Sequence, residues 1–292
     1  HQHRRELRAL RVFCSWVNHF DMKRQNTLDV YVGEPGQGHV RHFLIDFAST
    51  LGAFGDRIVP RFGFEFGIDL FSIFGRILTL GLHEDSWANL APPPGLDEVG
   101  LFEGHVFSPQ GWKPDLPHSG MADLNDRDGY WAAKIVSAFT EADLRVIIEQ
   151  ALYQDPRAER YLLETLIARQ RKIVEYWFTK VPPVDFFSLE GPAMTFHDLG
   201  VERGYSPAGE TLYRYRLAAV DRDRRPGPDG WTDWTVTSST SIPLLDDPGV
   251  PRDGGRHPFL AVEVQLDRGK GWSASTTAYA SFETGRIVAL DR

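Results

Sequence analysis

The sequence has almost no cysteine and no long hydrophobic run. Cys14 is the single cysteine among 292 residues, so the chain cannot form an internal disulfide. Its place on the apolar side of a predicted first helix favours a buried structural thiol over a nucleophile. The most apolar segment, residues 62–82, is interrupted by charged side chains. We therefore expect no membrane span in this chain.

Cations are few relative to acids. The 32 lysines and arginines are outnumbered by 40 aspartates and glutamates, which gives a formal net charge of −8. Nucleic-acid partners require clustered cations against the phosphate backbone, so we expect no nucleic-acid partner. The densest basic cluster, residues 169–172, is predicted to be the solvated face of a helix. With 42% hydrophobic residues, the chain is predicted to be globular, with enough apolar material for two cores.

A group of chemically capable side chains lies near the start of the chain. His19, Asp21, Lys23 and Asn26 are close in sequence, and Asp46 follows after a predicted hairpin. A carboxylate can orient a hydroxyl, and a lysine can neutralise a phosphate. An amide and a second carboxylate supply the oxygen ligands that Mg²⁺ prefers. Phosphoryl transfer requires these parts.

The order of these residues resembles that of a known family. Residues 19–26, His-x-Asp-Met-Lys-x-x-Asn, resemble the catalytic loop of serine/threonine protein kinases. Residues 46–48, Asp-Phe-Ala, resemble the metal-binding Asp-Phe-Gly triplet that follows that loop. A short hairpin separates the two motifs in kinases as well, so the resemblance covers the order of the motifs as well as their residues. The chain as a whole also resembles a group of bacterial proteins.

The resemblance implies a role for each side chain. Asp21 and Lys23 would be catalytic, because Asp21 would position the acceptor hydroxyl and Lys23 would neutralise the transferred phosphate. Asn26 and Asp46 would hold Mg²⁺ or Mn²⁺, with ATP as the phosphate donor and an unknown hydroxyl-bearing molecule as the acceptor. The support of the site would come from His19 and Phe47. The structural alternative is that Asp21 and Asn26 are ordinary helix-end and turn residues.

The sequence departs from the kinase pattern at three points. Phe20 stands where regulated kinases carry an arginine, Ala48 replaces the usual glycine, and no glycine-rich loop or partner lysine precedes the motif. We therefore expect this chain to be the C-terminal lobe of a longer protein whose nucleotide-gripping lobe lies upstream. The lobe alone is expected to be inactive. Cytoplasmic and exported locations both stay open.

Apolar periodicity and turn residues predict the secondary structure of the first part. Two apolar stretches should pair as a hairpin around a turn rich in Gly and Pro, at residues 27–32 and 39–45. Helices are predicted at residues 4–18, 66–80 and 126–139, and from residues 140 and 156 onward. The helix at 66–80 is predicted to be buried. The Pro- and Gly-rich passage at 91–117 should be a loop held down by its aromatic side chains.

The predicted fold class is α+β with two domains. Residues 1–182 are predicted to form a mainly helical, kinase-like C-terminal lobe. Residues 183–292 are predicted to form an antiparallel β-sandwich, a fibronectin-like accessory domain. Its predicted strands are residues 213–219, 231–237, 259–266, 273–280 and 286–290. One of its turns is predicted at residues 246–249.

Aromatic side chains in the second domain support a rival function. Trp231, Trp234, Trp272 and Tyr279 could form a platform for a glycan or a peptide, or could instead fill the core. Three functions therefore stay open. We favour an active phosphotransferase, and the alternatives are a catalytically inactive kinase-like scaffold or a surface or ligand-binding protein that acts through its β-sandwich.

Overall fold

The structure is a computed structural model of the chain, which divides into a first unit, residues 1–176, and a second unit, residues 177–292. The described residues are 3–55, 57–82, 84–96, 98–244 and 255–292. Helices and antiparallel sheets occur together, so the chain belongs to the α+β class, as predicted. The turn predicted at residues 246–249 lies outside the described residues.

The first unit is built from helices and one hairpin. The strands of the hairpin are β1 (Thr27–Val32) and β2 (His39–Leu44). The helices are α1 (Arg5–Val17), α2 (Leu70–Leu78), α3 (Ser119–Ala122), α4 (Asp126–Val136), α5 (Glu141–Glu149) and α6 (Pro156–Lys180), whose last residues belong to the second unit. Over the described ranges, no helix combines the length and apolarity needed to cross a bilayer.

The predicted hairpin is confirmed. β1 and β2 pair antiparallel along their whole length, with Thr27 opposite Leu44 and Val32 opposite His39. Gly33 begins the turn at φ +114°, a backbone conformation that glycine adopts without a Cβ clash. No residue of either strand is buried, so both faces of the hairpin contact solvent at least partly.

Helical spacing predicts an apolar face of Leu7, Leu10, Cys14 and Val17 on α1, and only Cys14 of these is buried. Leu7, Leu10 and Val17 are only half-buried. The side chains that face the core are Ala9, Val12, Cys14, Ser15 and Trp16. The predicted burial of Cys14 is confirmed, and burial raises the pKa of its thiol.

The prediction that residues 66–80 form a buried helix is wrong. α2 contains no buried residue. Polar side chains connect α2 to the rest of the unit: Asp69, which precedes the helix, accepts from Lys113, and Arg76 pairs with Glu65 and Asp85. The charges that interrupt the apolar run therefore determine which side of the helix faces inward.

The loop at 91–117 is held down by aromatic side chains, as predicted. Phe102, Phe107 and Trp112 are all buried. The predicted solvated face at 169–172 is wrong for Arg169 and Gln170, which are buried as well, whereas Arg171 is exposed. The buried charge of Arg169 is bound by backbone carbonyl groups.

Two helix starts are confirmed by their capping hydrogen bonds. The Thr140 hydroxyl accepts from the Asp143 backbone N–H, and the Asp143 carboxylate accepts from the Thr140 backbone N–H, which is a capping box. Asp155 accepts from the backbone N–H of Arg157 at 2.8 Å, just before the start of α6 at Pro156.

The second unit contains two antiparallel sheets. Its elements are β3 (Val184–Glu190), β4 (Ala193–Asp198), α7 (Leu199–Glu202), β5 (Leu212–Val220), β6 (Thr235–Thr237), β7 (Ser241–Pro243), β8 (Phe259–Asp267), β9 (Thr276–Ser281) and β10 (Arg286–Asp291). One sheet has the order β10-β9-β8-β5-β6, and the other β3-β4-β7. Side chains from both sheets, such as Phe196 and Val262, share one apolar cluster.

The tryptophans of the second unit stack with arginines. The Arg214 guanidinium lies 4.4 Å from the ring centre of Trp234 and 4.6 Å from that of Trp272. The Arg216 guanidinium lies 4.8 Å from Trp231 and 4.7 Å from Trp234. All three rings are half-buried, so they are in part packing groups, and the predicted glycan or peptide platform stays a prediction. Tyr279 is buried, and its hydroxyl bonds to Asp291.

Candidate active site

The loop that carries the predicted catalytic residues begins at the end of α1. Asn18 ends that helix in the left-handed conformation, at φ 51° and ψ 43°, a helix ending for which asparagine is suited. Its side-chain oxygen accepts from the Trp112 indole at 2.9 Å, and His19 N–H donates back to the Cys14 carbonyl at 2.8 Å. The start of the loop is therefore fixed by buried hydrogen bonds.

Side chains alternate inward and outward along the loop. Phe20 and Met22 are almost completely buried, and the Phe20 ring stacks on Phe62 at 3.8 Å between ring centres. Asp21 lies between these two residues and Lys23 follows them. Their side chains are partly exposed, by 18% for Asp21 and 35% for Lys23. The phenylalanine that replaces the kinase arginine thus anchors the loop, and the two predicted catalytic groups remain accessible.

Asp21, Lys23 and Asn26 are joined by hydrogen bonds. The Lys23 ammonium lies 2.9 Å from both carboxylate oxygens of Asp21. The Asn26 amide nitrogen donates to the Asp21 backbone carbonyl at 2.7 Å and to its carboxylate at 3.3 Å. The hydrogen bond to Asp21 is the main reason that the pKa of Lys23 is raised. This lysine is therefore a stable cation at neutral pH.

The hairpin brings Asp46 back towards this loop. The Ile45 backbone N–H donates to the Asn26 carbonyl at 2.9 Å, so the residue next to Asp46 is bonded directly to Asn26. The negative charge of Asp46 is a minor cause of the raised pKa of Lys23. The same charge partly offsets the lowering of the pKa of His19. Asp46 itself is exposed and adopts φ 63°, an uncommon conformation for which aspartate is one of the better non-glycine residues.

Asp46 and Asn26 do not touch through their side chains. The Asp46 carboxylate accepts only a long bond, 3.4 Å, from the backbone N–H of Ala48, and no hydrogen bond joins it to Asn26 within the described ranges. Both side-chain hydrogen bonds of Asn26 are donated by its amide nitrogen. The two predicted metal ligands differ in exposure, because Asp46 is exposed whereas Asn26 is buried, with 5% of its surface exposed.

The rings of His19 and Phe47, the two residues predicted to support the site, are in contact. Their rings stack at 5.3 Å between centres, and the His19 Nδ1 atom lies 3.2 Å from the Thr50 hydroxyl. Burial lowers the pKa of His19. A hydrogen bond to the Ser49 backbone and the charges of Asp21 and Asp46 favour a higher pKa, but their effect is smaller. The stacking of His19 on Phe47 connects the segment after Asp46 to the start of the loop at residues 19–26.

The two predicted metal ligands would suit only a cation that needs few protein groups. Across the described part of the chain, no group of three or more His, Cys, Asp or Glu side chains is placed to hold a metal ion. Mg²⁺ is usually held by one or two carboxylates, with water and substrate phosphates completing its octahedron. Asp46 and Asn26 suit that kind of site, and they do not suit an ion that requires a full set of protein ligands.

Sequence reasoning missed the residues that fix the loop in place. Asn18, Thr50, Trp112 and Arg169 all bond to the segment around His19 or to the end of α1. Trp112 and Arg169 are far from the loop in sequence, so no local pattern points to them. Asn18 is the exception, because asparagine after a helical repeat is a known signal for a left-handed helix end.

Comparison with known proteins gives no relative for this chain. No protein-family model, no curated protein and no solved structure matches it.

Proposed function

We propose that the first unit is the C-terminal lobe of a kinase-like phosphotransferase, which transfers the γ-phosphate of ATP to a hydroxyl group. In this proposal the second unit is an accessory β-sandwich. The observation that carries the proposal is the arrangement of one short loop. Asp21, Lys23 and Asn26 are mutually hydrogen-bonded, and the hairpin returns Asp46 beside them.

Each residue has a task in the proposed reaction. The acceptor hydroxyl oxygen forms a bond to the γ-phosphorus, the bond from that phosphorus to the β–γ bridging oxygen breaks, and ADP leaves. Asp21 orients the hydroxyl and accepts its proton, and Lys23 neutralises the phosphoryl oxygens. Asn26 and Asp46 would hold Mg²⁺ or Mn²⁺, which when bound supplies positive charge to the β- and γ-phosphates.

An exposed apolar surface next to Asp46 supports nucleotide binding. Leu28 and Phe43 lie opposite each other in the hairpin, and Val30, two residues after Leu28, lies opposite Arg41 on the same face. Ile45 follows two residues after Phe43. The four apolar side chains are exposed by 36–49%. Small-molecule sites are mostly apolar with a few placed polar groups.

One observation favours the inactive scaffold as the second candidate. Lys23 lies at hydrogen-bonding distance from both oxygens of Asp21, so both oxygens that would meet the acceptor hydroxyl are already engaged. An active enzyme must weaken this pair when the substrate phosphate competes for Lys23. An inactive scaffold would keep the pair intact.

The substitution Asp21→Asn separates the two candidates in the full-length gene product. An amide cannot accept the hydroxyl proton, so we expect transfer of radiolabelled phosphate from ATP, to the protein itself or to added hydroxyl compounds, to fall by about 10²-fold or more. The matched control is Asp29→Asn, which removes an exposed carboxylate of the hairpin that pairs with His42. The control should transfer phosphate at the wild-type rate. No transfer by the wild type, or equal transfer by both variants, would contradict the proposal.

A further inference from the structure

α2 and the residues beside it present a large apolar surface. The outward side chains are 44–94% exposed, and Phe71 and Leu80 are 94% and 90% exposed. We call this surface the α2 face. It consists of Ile68, Leu70, Phe71, Ile73, Phe74, Ile77, Leu78, Leu80 and Leu82.

The α2 face is held outward by ion pairs on the other side of the helix. Arg76 lies 2.6 Å from Glu65 and 2.7 Å from Asp85. Asp69 caps the helix by accepting from the Ser72 N–H, and its carboxylate lies 2.5 Å from the Lys113 ammonium. Rotating α2 to bury the apolar side would break these pairs and bury their charges. The orientation of α2 therefore exposes the apolar side for a partner.

The α2 face is large enough for a stable interface. At about 150 Å² per large apolar side chain, the low end of what an aromatic ring buries, nine side chains that are roughly two-thirds exposed present about 900 Å². The largest apolar patch of a typical monomer covers about 300–600 Å². One side of a standard protein interface buries about 800 Å².

The charges around the α2 face argue for a protein partner rather than a lipid surface. Interfacial membrane helices are usually rich in Lys and Arg beside their apolar side. The single basic residue of α2, Arg76, is already paired with two acids, and the chain carries a net charge of −8. An anionic lipid surface would repel such a protein, whereas an uncharged apolar helix face is complementary to itself across a twofold axis.

We propose that the α2 face is the contact of a homodimer, in which α2 of one copy packs antiparallel against α2 of a second copy. Phe74 lies at the middle of α2, so the twofold axis would pass close to it. This proposal does not depend on the proposed phosphotransfer.

Sedimentation velocity of the chain tests the dimer. We expect twice the monomer mass of 33.1 kDa at micromolar concentration. Phe71→Glu places a charge at the most exposed position of the face and should return the protein to a monomer. The matched control is Val146→Glu on α5, a side chain that is 58% exposed, and it should remain a dimer. A wild-type monomer at 100-fold higher concentration, or dissociation of both variants, would overturn the proposal.

A cross-linking experiment locates the contact and does not rely on the folding of Phe71→Glu. Phe74→Cys should form a disulfide between two copies under mild oxidation, because the two thiols would meet near the twofold axis. Cys14 cannot compete, since only 2% of it is exposed, and Val146→Cys should stay monomeric on a non-reducing gel. Equal cross-linking of both variants would overturn the proposal. Binding of a monomeric wild type to neutral lipid vesicles would do the same and would favour a lipid partner.

Discussion

Arg169 fixes the backbone that leads into the candidate site. Its guanidinium donates to the carbonyl groups of Ser15, Trp16 and Glu103 and lies 3.8 Å from the ring centre of Phe107. Two of these carbonyls, those of Ser15 and Trp16, belong to the last turn of α1, just before the loop that carries Asp21, Lys23 and Asn26. Burial lowers the pKa of Arg169, so its charge is costly to bury and is compensated by hydrogen bonds.

Replacing Arg169 by leucine should destabilise the protein strongly. Arg169→Leu leaves three backbone carbonyls without their charged donor, and we expect the free energy of unfolding in urea to fall by about 3–5 kcal/mol. The control Arg171→Leu removes an exposed arginine of the same helix whose ion pair with Glu175 is 3.7 Å long. Its effect should stay within about 0.5 kcal/mol. A similar loss in both variants would show that Arg169 is not the anchor described above.

Among the helices and strands, some features follow from nearby residues in the sequence, and others depend on contacts with residues far along the chain. The hairpin and the starts of α5 and α6 follow from turn and capping residues that lie within a few positions of each other, so they could be read from the sequence. The orientation of α2 could not, because one of its partners, Lys113, lies far along the chain. A strongly apolar run predicts a helix, but distant polar groups decided which side it buries.

The ion pair between Asp69 and Lys113 should make α2 sensitive to acid. The hydrogen bond from Lys113 is the main cause that holds the pKa of Asp69 below its ordinary value of 3.8. The folded protein therefore binds this proton less readily than the unfolded chain. The pair contributes its full stability above that ordinary value, and the contribution is lost as the pH falls through the lower folded value.

The variant Asp69→Asn should have a flatter pH dependence than the wild type. It cannot lose a carboxylate ion pair, so its urea midpoint should decline less between about pH 5 and pH 2. At neutral pH it should be less stable, since Lys113 would lack its acceptor charge. Parallel curves for the two proteins would mean that Asp69 does not contribute to acid stability.

For the whole molecule, the sequence predicted the α+β class and the proximity of the candidate residues, but not the buried groups that hold their loop in place. Asp21, Lys23 and Asn26 lie in one short loop, so their contact follows from sequence proximity. Asp46 required the hairpin to fold back, which the turn residues predicted. The buried groups that hold the loop come from α6 and from the loop at 91–117, and no sequence period records those contacts.

The most direct test of the account is the thermal stability of the full-length gene product with and without ATP and Mg²⁺. If Asp46 and Asn26 hold the cation, saturating nucleotide with metal should stabilise the folded state by about 2–3 kcal/mol and raise the midpoint by a few degrees. Asp46→Ala should abolish the increase, and Asp29→Ala on the hairpin should retain it. No increase in the wild type at millimolar nucleotide, or an equal increase in Asp46→Ala, would contradict the account.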